Sequence, residues 1–207
     1  PSLAVFKELI SIVQEKNIIL FSDEMYRGLE YNQDKKLPSA CEMDIKSVIL
    51  SGLSKSYGLP GLRMGWLITK NQDWMVQFQL YKDYTTICGS ASAEILSLIA
   101  LRNSEKIIKK NREIVNQNIR LTRDFFDTHQ EHLEWIEPFG SSVLFPELKS
   151  DIEDFACFCL KKYELLMIIG KMFFMDGNYF RIGIGRKTFP ESLEIFKKAY
   201  CDYFRNE

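Results

Sequence analysis

Two short, unbroken apolar runs, Ile18-Ile19-Leu20-Phe21 and Val48-Ile49-Leu50, constrain this chain more than any other feature. A strand with one solvated face alternates apolar and polar residues. A continuous run of this length therefore predicts a strand covered on both faces, as in a parallel sheet flanked by helices. The surroundings agree. Leu3, Phe6, Leu9, Ile10 and Val13 recur at helical spacing with Lys7, Glu8 and Glu15 between them, which predicts an amphipathic helix ended by Asn17. Residues 24–46 are polar and contain Pro38, and read as a long irregular excursion. The second apolar run leads into a glycine-rich turn (Gly52, Gly58, Gly61, Gly65) and a third strand over 65–69.

Helices are expected over 72–82, 91–102 and 104–129, the last with Ile107, Ile108, Ile114, Val115, Ile119 and Leu121 inward. Beyond it, strand-like pieces (133–136, 142–145, 165–168, 179–184) alternate with helical ones (151–162, 190–205). The expected fold class is α/β: a partial, mostly parallel sheet with helices in residues 1–103, then a smaller α/β domain over 104–207. A three-stranded parallel sheet with long loops at its carboxyl ends has bare edges, which natural proteins avoid. With Pro1 standing directly before a helix, the chain is expected to be a piece of a longer protein.

Composition removes several classes of function. The 27 Lys and Arg against 28 Asp and Glu leave a net charge of -1, which offers no field to hold nucleic acid or an anionic membrane. No apolar run approaches the roughly 20 residues that span a bilayer. The five cysteines form no CxxC pair and read as free thiols in a reducing compartment, so a cytoplasmic protein is expected. His129 and His132 share a helix face but lack a third ligand, and read as solvent-facing rather than metal-binding. Cys157 and Cys159 fall within a helical pattern and are expected in the core. The glycine turn lacks GxxxxGK[ST], which argues against a nucleotide loop.

In open α/β sheets, ligands bind beyond the carboxyl ends of the strands. Asp23 ends the first strand, with Tyr26 three residues on. Lys55 follows the second strand, and Arg63 stands eight residues later, before the third. A lysine is protonated up to about pH 10.4 and needs an unusual setting to act as a nucleophile. Lysine, carboxylate and arginine are together the set that pyridoxal phosphate requires: an amine for a Schiff base, an acid to keep the ring nitrogen protonated, and a cation for the phosphate.

The stretch Gly52-Leu53-Ser54-Lys55-Ser56-Tyr57-Gly58-Leu59-Pro60-Gly61-Leu62-Arg63-Met64-Gly65 resembles the cofactor-attachment motif of class I/II aminotransferases of fold type I. Ser22-Asp23-Glu24-Met25-Tyr26 is similar to that family's strand-end aspartate with its tyrosine, and the 32-residue spacing from Asp23 to Lys55 suits it. Tyr179-Phe180-Arg181-Ile182-Gly183-Ile184-Gly185 resembles the strand carrying the arginine for the substrate α-carboxylate. The resemblance implies Lys55 as the Schiff-base lysine and proton carrier, Asp23 at the pyridine nitrogen, and Tyr26 at the phenolic oxygen. It further implies Ser54 and Arg63 at the phosphate and Arg181 at the substrate. One departure is visible: Gly52 stands where the family often has a phosphate-binding serine, and Ser51 or a backbone N–H is the expected replacement.

The same resemblance implies transamination of an amino acid/keto acid pair by a homodimer. It also implies an amino-terminal half, carrying a phosphate-cradling loop, a ring-stacking aromatic and an asparagine, that this chain does not contain. The alternatives are a carbon–sulfur lyase on the same fold, or a fragment that is inert by itself. Lyases of this fold often carry histidine where Tyr26 stands, which favours the transaminase.

Overall fold

A computed structural model describes residues 1–205. The chain divides into two compact units, Pro1–Arg112 and Glu113 onward.

The first unit opens with α1 (Leu3–Glu15), capped by the Ser2 hydroxyl accepting from the Val5 N–H at 3.3 Å. Asn17, at φ 51°, takes the left-handed position that ends helices, in agreement with the sequence reading. β1 (Leu20–Asp23) pairs in parallel with β2 (Ser47–Gly52), setting Asp23 opposite Leu50. β3 (Gly65–Ile68) then pairs with β2 in antiparallel fashion, Gly52 opposite Gly65. The third strand, expected to lie parallel to the other two, thus runs the opposite way. A parallel return needs a crossover, usually a helix. The segment between Gly52 and Gly65 contains only turns and a short 3-10 piece at Pro60–Leu62, so the chain folds straight back.

The expected burial of β1 on both faces is also corrected. Phe21 is 58% exposed, as is Ile19 (56%) just before the strand, because the sheet face that carries Phe21 and Asp23 is left uncovered by the described residues. α2 (Gln72–Thr85), capped by Asn71, and α3 (Ala91–Arg102), capped by Ser90, follow where the sequence placed them.

α4 (Ser104–Asp127) runs through the division between the units. Val115 and Ile119 are buried as expected, whereas Ile107, Ile108, Ile114 and Leu121 are half-buried. The buried stripe continues through Asn118, Thr122, Phe125 and Phe126, and its polar members have hydrogen bonds to justify burial.

In the second unit, β4 (Leu133–Glu134) pairs antiparallel with β6 (Glu147–Leu148), and β8 (Phe180–Gly183) lies between β5 (Val143–Leu144) and β7 (Ile168–Ile169). The strand expected over 165–168 is displaced to Ile168–Ile169. α5 (Ile152–Tyr163) ends on a left-handed Glu164, and Leu165 donates its N–H back to the Cys159 carbonyl, so those residues finish the helix. α6 (Phe189–Phe204) completes the unit. Its Phe196 ring lies 5.9 Å from Phe125, 5.9 Å from Phe155 and 5.8 Å from Phe180. Such aromatic pairs add about 0.5–1.5 kcal/mol each beyond area burial.

Two sequence readings change here. His132 stacks on Phe204 at 3.9 Å and shares a 2.9 Å hydrogen bond with the Tyr200 hydroxyl, while His129 lies 4.2 Å from Phe125. Both are packed rather than solvent-facing. Only Cys159 of the cysteine pair is buried and Cys157 is exposed, since residues two apart on a helix cannot share a face.

Candidate active site

The site is built on the exits of β1 and β2, which the parallel register brings level. Asp23 closes β1, and its carboxylate Oδ1 accepts from the Met25 N–H at 3.0 Å, bending the chain into the turn that carries Tyr26. Lys55 sits in the turn after β2, where the Gly58 N–H donates to the Lys55 carbonyl at 2.9 Å and Gly58 takes φ 67°. The Lys55 ammonium lies over the Tyr26 ring, 5.8 Å from its centroid. That contact is worth about 0.5–1 kcal/mol at an exposed site and sets the amine against a ring that stands three residues after Asp23 in sequence.

The base of the turn is closed by glycines. A Cβ on Gly52 would come within 2.9 Å of both the Gly65 Cα and the Met64 carbonyl oxygen. Any side chain at this position would collide with backbone that no rotamer change can move, so the close pairing of β2 with β3 here requires glycine. Arg63 holds a left-handed backbone at φ 53°, and its guanidinium donates to the Pro60 carbonyl at 3.1 Å. Ser54 is half-buried at the mouth of the same turn. Tyr57 packs edge-on to Trp66 at 6.5 Å, and burial pushes its hydroxyl pKa up against a hydrogen bond with Ser104 that lowers it.

Asp23, Tyr26, Ser54, Lys55 and Arg63 all belong to the first unit: the first two end and follow β1, the next two follow β2, and Arg63 stands just before β3. Arg181 belongs to the second unit, exposed on β8 opposite Ile168. A cavity of about 680 Å³ in the first unit lies over the sheet face of Ile49, Ser51, Trp66 and Ile68, and none of the five site residues lines it.

Sequence reasoning missed the residues that hold these side chains in place. Ser56 is 2% exposed and donates its hydroxyl to the Met25 carbonyl at 2.9 Å. Asn111 on α4 donates to the Ser56 carbonyl at 3.0 Å. The Glu24 carboxylate accepts from the Ser39 hydroxyl and the Ala40 N–H, both at 2.9 Å, and so ties down the 24–46 excursion. In the second unit, the buried Asn118 amide donates to the Ile184 and Arg186 carbonyls, both at 2.8 Å, fixing the chain just beyond β8. Hydropathy gives no signal for such residues, since each is polar and its role shows only in a partner far away in sequence.

The family model described as aminotransferase class I and II matches residues 1–194. This chain belongs to that family. It is 26% identical over 194 residues to the L-aspartate:5-guanidino-3-methyl-2-oxopentanoate transaminase of Pseudomonas syringae pv. syringae, covering 92% of this chain and 48% of the relative. It is 26% identical to a cystine lyase of Arabidopsis thaliana, covering 100% of this chain and 52% of that protein. Among solved structures, a PLP-dependent aminotransferase from Streptococcus suis superposes with a TM-score of 0.84 at 28% identity, covering 96% of this chain and 53% of that one. The chain therefore spans about half the length of the relatives it matches. Among the described residues, no helix is long and apolar enough to cross a membrane.

Proposed function

We propose that the protein containing this chain is a pyridoxal-phosphate-dependent aminotransferase acting on an amino acid/keto acid pair. The observation that carries this reading is the Lys55 ammonium held over the Tyr26 ring, on a glycine-closed turn beside the strand that ends in Asp23. The residue types suit the cofactor: an amine, a carboxylate, a phenol and a guanidinium all stand in the turns that flank β1, β2 and β3 of one sheet. Bound there, pyridoxal phosphate supplies the electron sink that an α-amino acid lacks.

The chain's own residues take the roles that remain. Lys55 is the attachment lysine, and once released its Nζ carries the proton from the substrate α-carbon. Asp23 keeps a proton on the ring nitrogen, and Tyr26 donates to the phenolic oxygen. Ser54 and Arg63 hold the phosphate, with Ser51 or a backbone N–H in place of the hydroxyl that Gly52 lacks. Arg181 pairs with the substrate α-carboxylate. On this reading residues 1–103 are the carboxyl-side part of the cofactor-binding domain and 104–207 the small domain of a cytoplasmic homodimer.

The cystine lyase relative supports a second reading, carbon–sulfur elimination on the same fold. Products separate the two. With cysteine-type substrates, a keto acid with consumption of the aldehyde cofactor marks transamination, while pyruvate with a free thiol marks the lyase.

The first test is titration of the full-length protein with pyridoxal phosphate, borohydride reduction and peptide mapping. A label on Lys55 is expected. A label confined to other lysines overturns the assignment.

A further inference from the structure

The turn that carries Lys55 is anchored from two sides through one buried residue. Ser56 directs both its hydroxyl (2.9 Å) and its N–H (3.4 Å) at the Met25 carbonyl. Met25 in turn donates its own N–H to the Asp23 carboxylate at 3.0 Å. On the other side, the Asn111 amide holds the Ser56 carbonyl at 3.0 Å and packs under Gly58, whose hypothetical Cβ would lie 3.2 Å from the Asn111 Nδ2. A continuous hydrogen-bonded path therefore runs Asp23–Met25–Ser56–Asn111, with Lys55 attached at its middle. The path lies entirely within the first unit.

We infer that Ser56 is a positioning residue: it ties the turn that carries Lys55 to the turn that carries Tyr26 and follows Asp23, so that the amine stays at the Tyr26 ring, and Asn111 braces the far side of the same turn. Among the described residues the long, exposed lysine side chain makes no hydrogen bond that could fix it, and at 5.8 Å the ring contact is soft. Its placement is inherited from the backbone of residues 55–58, and that backbone is held by Ser56. A hydroxyl is needed because the Met25 carbonyl already lies too far from the Ser56 N–H for a short bond. Removing it leaves the part-buried Met25 carbonyl with only the long 3.4 Å contact from the Ser56 N–H and loosens the lysine turn from the aspartate turn.

This inference rests on the assignment of Lys55 as the attachment lysine, and the test separates the two. Full-length wild-type, Ser56→Ala, Ser56→Thr and Asn111→Ala proteins are incubated with pyridoxal phosphate across a pH series, quenched with borohydride and peptide-mapped. The rate of labelling at Lys55 is read against that of exposed lysines in the same sample, and thermal midpoints are recorded. Ser56→Ala is expected to slow Lys55 labelling about fivefold, as the loss of one hydrogen bond implies, and to displace its pH midpoint. Ser56→Thr, which keeps the donor, is expected to recover both. A purely structural serine would lower the thermal midpoint but leave both readings unchanged below it. Wild-type rate and pH midpoint in Ser56→Ala overturn the inference. Should that variant not fold, Asn111→Ala is read in its place, and a wild-type profile there overturns it equally. A wild-type protein that takes no label at Lys55 overturns the lysine assignment itself.

Discussion

At the scale of single residues, the proposed chemistry depends on what stands beside each reactive atom. Asp23 spends one carboxylate oxygen on the Met25 N–H and has the other to face a ring nitrogen. Asp23→Asn keeps the turn-forming acceptor but not the charge. It is expected to retain covalent labelling at Lys55 while turnover of the full-length protein falls about 10- to 100-fold, the ~1.5–3 kcal/mol of a hydrogen bond to a charged group. Stopped-flow and steady-state kinetics on the same preparation check this, and an unchanged rate would make Asp23 structural. The cysteines give a second residue-scale prediction. Burial pushes the Cys159 thiol up to about 12 from 9.0, whereas Cys88 and Cys157 are exposed. At pH 8, Cys88 and Cys157 are expected to react with a disulfide reagent while Cys159 reacts only on unfolding. The sign for stability follows. The neutral buried thiol favours the fold fully below pH 9, and that contribution drains away as pH rises toward 12, because the unfolded chain loses the proton first. Denaturation midpoints measured across that window should fall, and Cys159→Ala should flatten this component.

At the scale of elements, the close pairing of β2 with β3 and the anchoring of β8 are the most sensitive joints. Gly52→Ala drives a methyl against backbone on both sides, at 2.9 Å from the Gly65 Cα and the Met64 carbonyl oxygen. It is expected to cost about 1–3 kcal/mol in urea denaturation, with Lys55 labelling impaired in the fraction that folds. Asn118→Leu removes two buried hydrogen bonds and leaves the Ile184 and Arg186 carbonyls without that donor, for an expected loss of about 2–3 kcal/mol in the same measurement. These joints also mark where the sequence stops being legible. Helices α2, α3, α5 and α6 were readable because caps and apolar spacing are local; α3 fell on the residues expected. The sense of β3 was not, since apolar runs carry no direction and the decisive fact was the lack of a helix between Gly52 and Gly65. Lys55, Asp23, Tyr26 and Arg63 could be singled out as candidates, because they flank short apolar strands and fall within motifs that resemble those of a known family. Ser56, Asn111 and Asn118 could not, because a polar residue that braces a distant backbone is recognised only by its partner, and the Asn118 partners lie 66 and 68 residues away.

At the scale of the whole molecule, the first unit presents apolar surface that its own elements do not cover. Val76, Leu80, Tyr81 and Tyr84 on α2 and Ile95, Leu96, Leu98 and Ile99 on α3 are all exposed, as is Phe21 on the β1 edge. α3 is apolar nearly all round, the pattern of a helix meant to be surrounded. Contiguous patches beyond a few hundred Å² are rare on proteins that stay monomeric, and an unpaired strand edge beside them is a template for association. The 207-residue chain expressed alone is therefore expected to bind a hydrophobic dye such as ANS, to sediment as a concentration-dependent mixture, and to show no steady turnover with added pyridoxal phosphate. Its second unit differs, with Phe126, Phe155 and Phe180 fully buried in one aromatic core. Hydrogen exchange should therefore be slow in α6 and the inner turns of α5, and fast in α2 and α3. Charged replacements that keep helix propensity, Val76→Lys with Leu80→Glu, should reduce dye binding and association without altering exchange in the second unit. A chain that is strictly monomeric, silent to the dye and protected in α3 would show that the first unit covers itself, and would remove the physical ground for expecting the isolated chain to be inert.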